Sequence, residues 1–89
     1  MNWELYSYVV GSKYRRKVML GLDVERTPSQ LARRTGISTS HVSRVLGELE
    51  LKGLVKCLVP KTKVGRVYAL VREGRAVYGK LRRSEDTTV

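Results

Sequence analysis

The sequence predicts a small, mainly α-helical domain carrying one β-hairpin, and three observations lead there. The stretch from Thr27 to Val55 reads as two capped helices joined by a short turn, the second ending at a glycine. Two β-rich runs, Leu54 to Val59 and Arg66 to Val71, flank the segment PKTKVG, with proline at one end and glycine at the other. The chain has 89 residues, no internal repeat and no linker long enough to divide it. That length suits one domain with a modest core.

The elements follow in order. Trp3, Tyr6 and Val10 keep helical spacing, as do Leu5 and Val9, and Gly11 breaks the run. Ser12 can cap a helix reaching about Leu22, with Tyr14, Val18 and Leu22 spaced by four and Met19 beside them. Asp23 to Arg26 is a short connection or a brief strand. Thr27 is a good N-cap, Pro28 sits where its missing N–H costs nothing, and Gln30 completes a capping box. Leu31 and Ala32 point inward and Gly36 ends this helix. Ile37 plugs the turn, Ser38 caps the next helix, and Val42, Val45, Leu46 and Leu49 form one buried stripe. Gly53 is the expected left-handed residue after that helix. A hairpin with a basic tip follows. Arg72 to about Arg83 forms the last helix, with Gly74, Val77, Tyr78 and Leu81 on one face. Residues 1–83 therefore read as the domain, and residues 84–89 as a disordered tail.

Composition narrows the function. Eighteen Lys and Arg against eight Asp and Glu give a net charge of +10, which favours an anionic partner. A membrane surface is the competing anion, but no apolar run approaches the roughly 20 residues of a spanning helix. The N-terminus has no positive region ahead of an apolar stretch, so no secretory signal is expected. The single Cys57 forms no internal disulfide, and with one His no metal site is expected. Cys57 reads as a small strand residue, with a redox role as the alternative. No cofactor or small-molecule ligand is indicated. Paired carboxylates, a Ser/His/Asp order and a phosphate-cradling glycine loop are all missing from the sequence, so it does not read as an enzyme. Glu48 and Glu50 lie two apart on a helix and do not face one another.

The stretch LARRTGISTSHVSRVLGELELKGLV, followed by the hairpin and by YALVREGRAVY, resembles the winged helix-turn-helix family of prokaryotic transcription regulators. The small MarR- and ArsR-like members are the nearest in kind, over roughly residues 12–82. Ala32, Gly36, Ile37, Val42, Leu46, Leu49, Gly53 and Leu54 fall where that family places its helix contacts, turn and core. The resemblance implies double-stranded DNA as partner and a cytoplasmic, nucleoid-associated location. It also implies a homodimer joined through terminal helices.

The residues agree with that expectation. Every titratable side chain from Arg26 to Gly47 except His41 is cationic. In a helix pair of this kind the second helix enters the major groove. If its apolar stripe faces the core, Thr39, Ser40, Ser43, Arg44 and Gly47 face outward. Arg44 is the candidate for a bidentate contact to guanine, with Thr39 and Ser40 touching bases. Ser38 and Ser43 suit phosphate. Glu48 and Glu50 fall in the second half of the helix, further from phosphates. His41 either reaches DNA backbone or lies half-buried under the first helix. Lys61, Lys63 and Arg66 flank the hairpin tip, where a wing can follow the minor groove or backbone.

Lys13, Arg15, Arg16 and Lys17 oppose the macrodipole at a helix start, which suggests a use in binding phosphate. Pairing with Glu4, Asp23 or Glu25 is the alternative. Arg33 and Arg34 sit late in their helix, where cations suit the dipole; Arg33 is the candidate for backbone contact. Trp3, Tyr6 and Tyr8 either cover the core beside Tyr78 and Leu81 or pair with a second copy. Three readings remain in competition: a sequence-specific DNA-binding regulator, a non-specific or architectural nucleic-acid binder, and a protein-interaction module.

Overall fold

The computed structural model describes residues 2–58 and 66–86, with the side chains of residues 85 and 86 excepted. Lys61 and Lys63, expected on the hairpin tip, lie outside the described residues. The elements are α1 (Trp3–Val10), α2 (Lys13–Leu20), α3 (Pro28–Thr35), α4 (Thr39–Leu51), β1 (Val55–Cys57), β2 (Tyr68–Leu70) and α5 (Arg72–Asp86). This is the mainly α architecture with one hairpin that the sequence predicts.

Side chains set where the helices begin. A helix leaves its first N–H groups without partners, and a preceding polar residue can satisfy one or two of them. Asn2 Oδ1 accepts from the Glu4 and Leu5 amides at 3.0 and 3.3 Å. Ser12 Oγ accepts from the Arg15 amide at 3.4 Å, and Ser38 Oγ from the His41 amide at 3.3 Å. At α3 the capping box is complete. The Gln30 amide donates to Thr27 Oγ1 at 3.1 Å, and the Thr27 amide donates to Gln30 Oε1 at 2.9 Å. Gly36 and Gly53 end α3 and α4 at φ of 75° and 74°, a conformation costly for any residue with a Cβ. α2 stops at Leu20, short of the expected Leu22, because Gly21 takes the C-cap; Leu22 is nonetheless buried.

Helix α4 is central to the core. Its stripe of Val42, Val45, Leu46 and Leu49 is buried, and α4 packs on α2, α3 and β1. Val9, Val18, Met19, Leu31, Leu54, Val77 and Leu81 complete the same cluster from the other elements. Each fully buried aliphatic side chain contributes roughly 1.5–3 kcal/mol. The orientation of α4 is therefore fixed by its apolar side, which leaves the other side exposed.

The strands pair antiparallel, with Val55 opposite Leu70 and Cys57 opposite Tyr68. Arg26 adds a one-residue third strand: its amide donates to the Tyr68 carbonyl at 3.1 Å and its carbonyl accepts from the Tyr68 amide at 2.9 Å. The Asp23–Arg26 connection is thus anchored to the hairpin base. Gly74 lets α5 lie directly on the chain leaving α4, since a Cβ there would collide with the Leu54 carbonyl.

Helix α5 runs on to Asp86 instead of ending near Arg83. Residues 84–86 therefore belong to the helix and not to the expected tail. The Tyr6 hydroxyl lies 3.3 Å from Ser84 Oγ, which ties this last turn to α1. Tyr6 and Tyr8 are half-buried against the core, whereas Trp3 is 61% exposed and meets Tyr6 edge-on at 5.9 Å.

Candidate nucleic-acid interface

The outward side of α4 is built by elimination. With its four apolar residues buried, Thr39, Ser40, Ser43 and Arg44 are all exposed, and Gly47 is half-exposed. Ser38 Oγ is committed to the His41 amide, so among the described residues the first N–H groups of α4 without a partner are those of Thr39 and Ser40. The helix dipole therefore points a partial positive charge at whatever approaches this end. Leu51 closes the same outward line and is 90% exposed.

The two flanks of this helix differ. On the α2 side the side chains interlock. Arg15 Nε donates to Glu48 Oε1 at 3.4 Å, and Arg15 Nη1 donates to the Tyr8 carbonyl at 3.0 Å. The Arg15 guanidinium also lies 3.8 Å from the centre of the Tyr8 ring, with Lys52 over the same ring at 4.9 Å. Arg15 is thus spent on holding α1, α2 and α4 together, with a partner different from the Glu4, Asp23 or Glu25 expected. His41 is exposed and not half-buried; its ring rests 4.9 Å from Tyr14 of α2. Arg16 is half-buried, and its Nε is enclosed without a hydrogen-bond partner among the described residues. Of the four cations on α2, Lys13 and Lys17 remain exposed.

On the hairpin side an open groove of about 520 Å³ separates α4 from the start of α3 and from β2. Thr39, Ser43, Gly47 and Glu50 line it from α4, Thr27, Pro28 and Ser29 from α3, and Arg66 and Tyr68 from the hairpin base. Neither Glu50 nor Arg66 makes a side-chain hydrogen bond or ion pair among the described residues. By its position in the second half of α4, Glu50 is expected further from the phosphates. The available signal was its surroundings: the residues three and four away are Leu46, Gly47, Gly53 and Leu54, none of them a cation.

A second basic region lies between α2 and α3. Lys17 and Arg34 border an open notch of about 440 Å³, with Leu20, Gly21 and Thr35 between them. Arg33 is exposed beside Arg34. Asp23 tempers this region, at 3.2 Å from Arg26 and 3.7 Å from Arg34. Burial alone would raise its pKa. The hydrogen bond from Arg26 and the charges of Arg26 and Arg34 outweigh that and hold the carboxyl below its ordinary value. Arg26 Nε also donates to the Gly21 carbonyl at 2.9 Å, clasping the end of α2.

Among the described residues no three of His, Cys, Asp and Glu come together to hold a metal, and no helix is long and apolar enough to cross a membrane. Cys57 is a half-buried free thiol on β1.

Comparison with known proteins places this arrangement. A family model described as the DprA winged helix domain matches residues 17–59, just under half of the chain. No curated protein sequence matches. Among solved structures, the reduced form of MarR from E. coli superposes with a TM-score of 0.77 at 22% identity, covering 94% of this chain and 66% of that one. The adhesin competence repressor AdcR from Streptococcus pyogenes gives 0.76 at 16% identity, covering 86% and 59%. The transcriptional repressor CouR, bound to a 23-mer DNA duplex, gives 0.73 at 23% identity, covering 94% and 64%. The chain spans less than two thirds of the length of each of these proteins. The chain has the winged helix-turn-helix fold: α3 and α4 are its helix pair, and β1 and β2 are the base of its wing.

Proposed function

We propose that this protein is a DNA-binding transcription regulator that inserts α4 into the major groove of double-stranded DNA and reads sequence there. The observation that carries the reading is the outward face of α4. From Thr39 to Gly47 it presents hydroxyls, one guanidinium and a glycine, with no acid, at the amide end of a helix whose other side is locked into the core. Similar structures include a repressor in complex with duplex DNA, which supports the same partner here.

In this reading Arg44 takes guanine, and Thr39 and Ser40 meet neighbouring base edges. Ser38, Ser43, His41, Lys13, Arg16, Lys17 and Arg33 serve the phosphates, and Arg66 with Lys61 and Lys63 forms the wing contact. Arg15, engaged by Glu48, acts as a brace. Exposed Trp3 offers α1 as the contact to a second copy, giving a homodimer on two half-sites. A nucleoid-associated, cytoplasmic location follows from that role.

In vitro selection of bound duplexes, followed by salt titration on the winner, tests this. A defined motif is expected, with affinity falling steeply as salt rises because contact with about 6–10 phosphates releases as many counterions. Two copies of the motif at fixed spacing would report the dimer. Equal binding to unrelated duplexes at physiological salt would replace this reading with a non-specific, architectural one.

A further inference from the structure

We infer that Glu50 and Gly47 form a second readout element on the wing flank of α4, in which the Glu50 carboxylate accepts a hydrogen bond from the amino group of a cytosine in the major groove. The inference rests on the DNA-binding function proposed above and adds to it a residue of the opposite charge.

The first observation concerns Glu50. α4 carries two acids in its second half, and the fold treats them differently. Glu48 is neutralised by Arg15 at 3.4 Å. Glu50 is exposed on the wall of the groove, has no ion pair among the described residues, and has no cation at helical spacing to provide one. On a domain of net charge +10, an unpaired acid facing a groove that met only phosphate would weaken binding. An ionised carboxylate has acceptors and no donor. In the major groove, cytosine offers an amino donor, whereas guanine offers only acceptors at its N7 and O6. A carboxylate there attracts one base of the pair and repels the other, which is discrimination by charge in both directions.

The second observation concerns Gly47, one turn before Glu50 on the same wall. Glycine is the weakest helix former apart from proline. Gly36 and Gly53 earn their place through positive φ, and Gly74 through a close approach to Leu54. Gly47 has neither reason: it is not in a positive-φ conformation, and among the described residues a Cβ added to it would meet nothing within 4 Å. No described residue excludes a side chain there, so the need for glycine is assigned to the approaching DNA. A base-pair edge approaching Glu50 must pass over Gly47, between Ser43 and Glu50. Arg66, on the opposite wall, is placed to meet the flanking phosphate.

Selection from a randomised duplex library with the wild type, Glu50→Gln and Gly47→Ala, together with thermal melts of each, tests both residues. The wild-type motif should contain a cytosine whose preference drops about tenfold in Glu50→Gln. Adenine should gain there, since an amide both donates and accepts. Gly47→Ala should melt higher and yet bind the wild-type motif several-fold more weakly, a pairing of signs that a solvated helix face would not give. An unchanged motif in Glu50→Gln, with affinity raised equally on every sequence, would reduce Glu50 to a phosphate-repelling charge and overturn its role. A Gly47→Ala variant that melts higher and binds as well as the wild type would overturn the role of Gly47. A wild type that selects no motif removes the sequence-reading function itself, and this inference with it.

Discussion

The two flanks of α4 carry similar residue types and use them in opposite ways. On the α2 flank, Arg15, Glu48, Tyr8 and Lys52 are committed to one another, and His41 leans on Tyr14. On the wing flank, Thr39, Ser43, Gly47, Glu50 and Arg66 surround a groove, and its two charged side chains have no partner among the described residues. On the first flank Arg15 ties Glu48 and Tyr8 together and so holds the helix in place. On the second, Glu50 and Arg66 have no ion pair among the described residues. A charge count alone would have ranked the α2 flank as the stronger DNA contact, because four of its first five helical residues are Lys or Arg. Pairing and burial, not composition, decide which cations are available.

This contrast can be broken from its outward face inward. Arg44→Ala should produce the largest effect on binding, about 1–3 kcal/mol at the preferred sequence, with preference relaxed at one base position. Titration of matched and mismatched duplexes checks this, and an equal loss on every sequence would make Arg44 a phosphate contact instead. Arg15→Ala should act on stability. It removes a partly exposed ion pair, a hydrogen bond to the Tyr8 carbonyl and a cation–π contact, together worth about 1–2 kcal/mol. Urea denaturation should show that loss while the selected motif stays the same. A changed motif with unchanged stability would move Arg15 from brace to readout.

The smallest effect is expected at Asp23, and it depends on pH. Its folded-state pKa lies below the ordinary 3.8, so its contribution to stability is present above that value and is lost as pH falls through the lower, folded value. Asp23→Asn should therefore cost a few tenths of a kcal/mol at neutral pH, since pairs this exposed are weak. Melting temperatures of the two proteins should converge in acid. A gap that persists at about pH 2 would mean that the side chain acts through something other than its charge.

Much of the fold was legible before the structure because it depends on local rules. Thr27, Pro28 and Gln30 wrote the start of α3, Ser38 the start of α4, and Gly36 and Gly53 the two ends. The spacing of Val42, Val45, Leu46 and Leu49 determined which side of α4 is buried, and so placed Thr39, Ser40 and Arg44 outside. The end of α5 was less legible, because Ser84 is held by Tyr6, far away in the chain. For the same reason, Arg15 read as a phosphate ligand from its neighbours in sequence, while its partner is 33 residues away on another helix.

The sequence by itself therefore determined the element order, the caps and the inward face of the helix pair, since these follow from interactions spanning a few residues. Only the tertiary structure decided which charges cancel. It set Glu48 against Arg15 and placed Glu50 and Arg66 on the lining of one groove, because packing five helices and a hairpin on one core brings together groups that no local spacing relates.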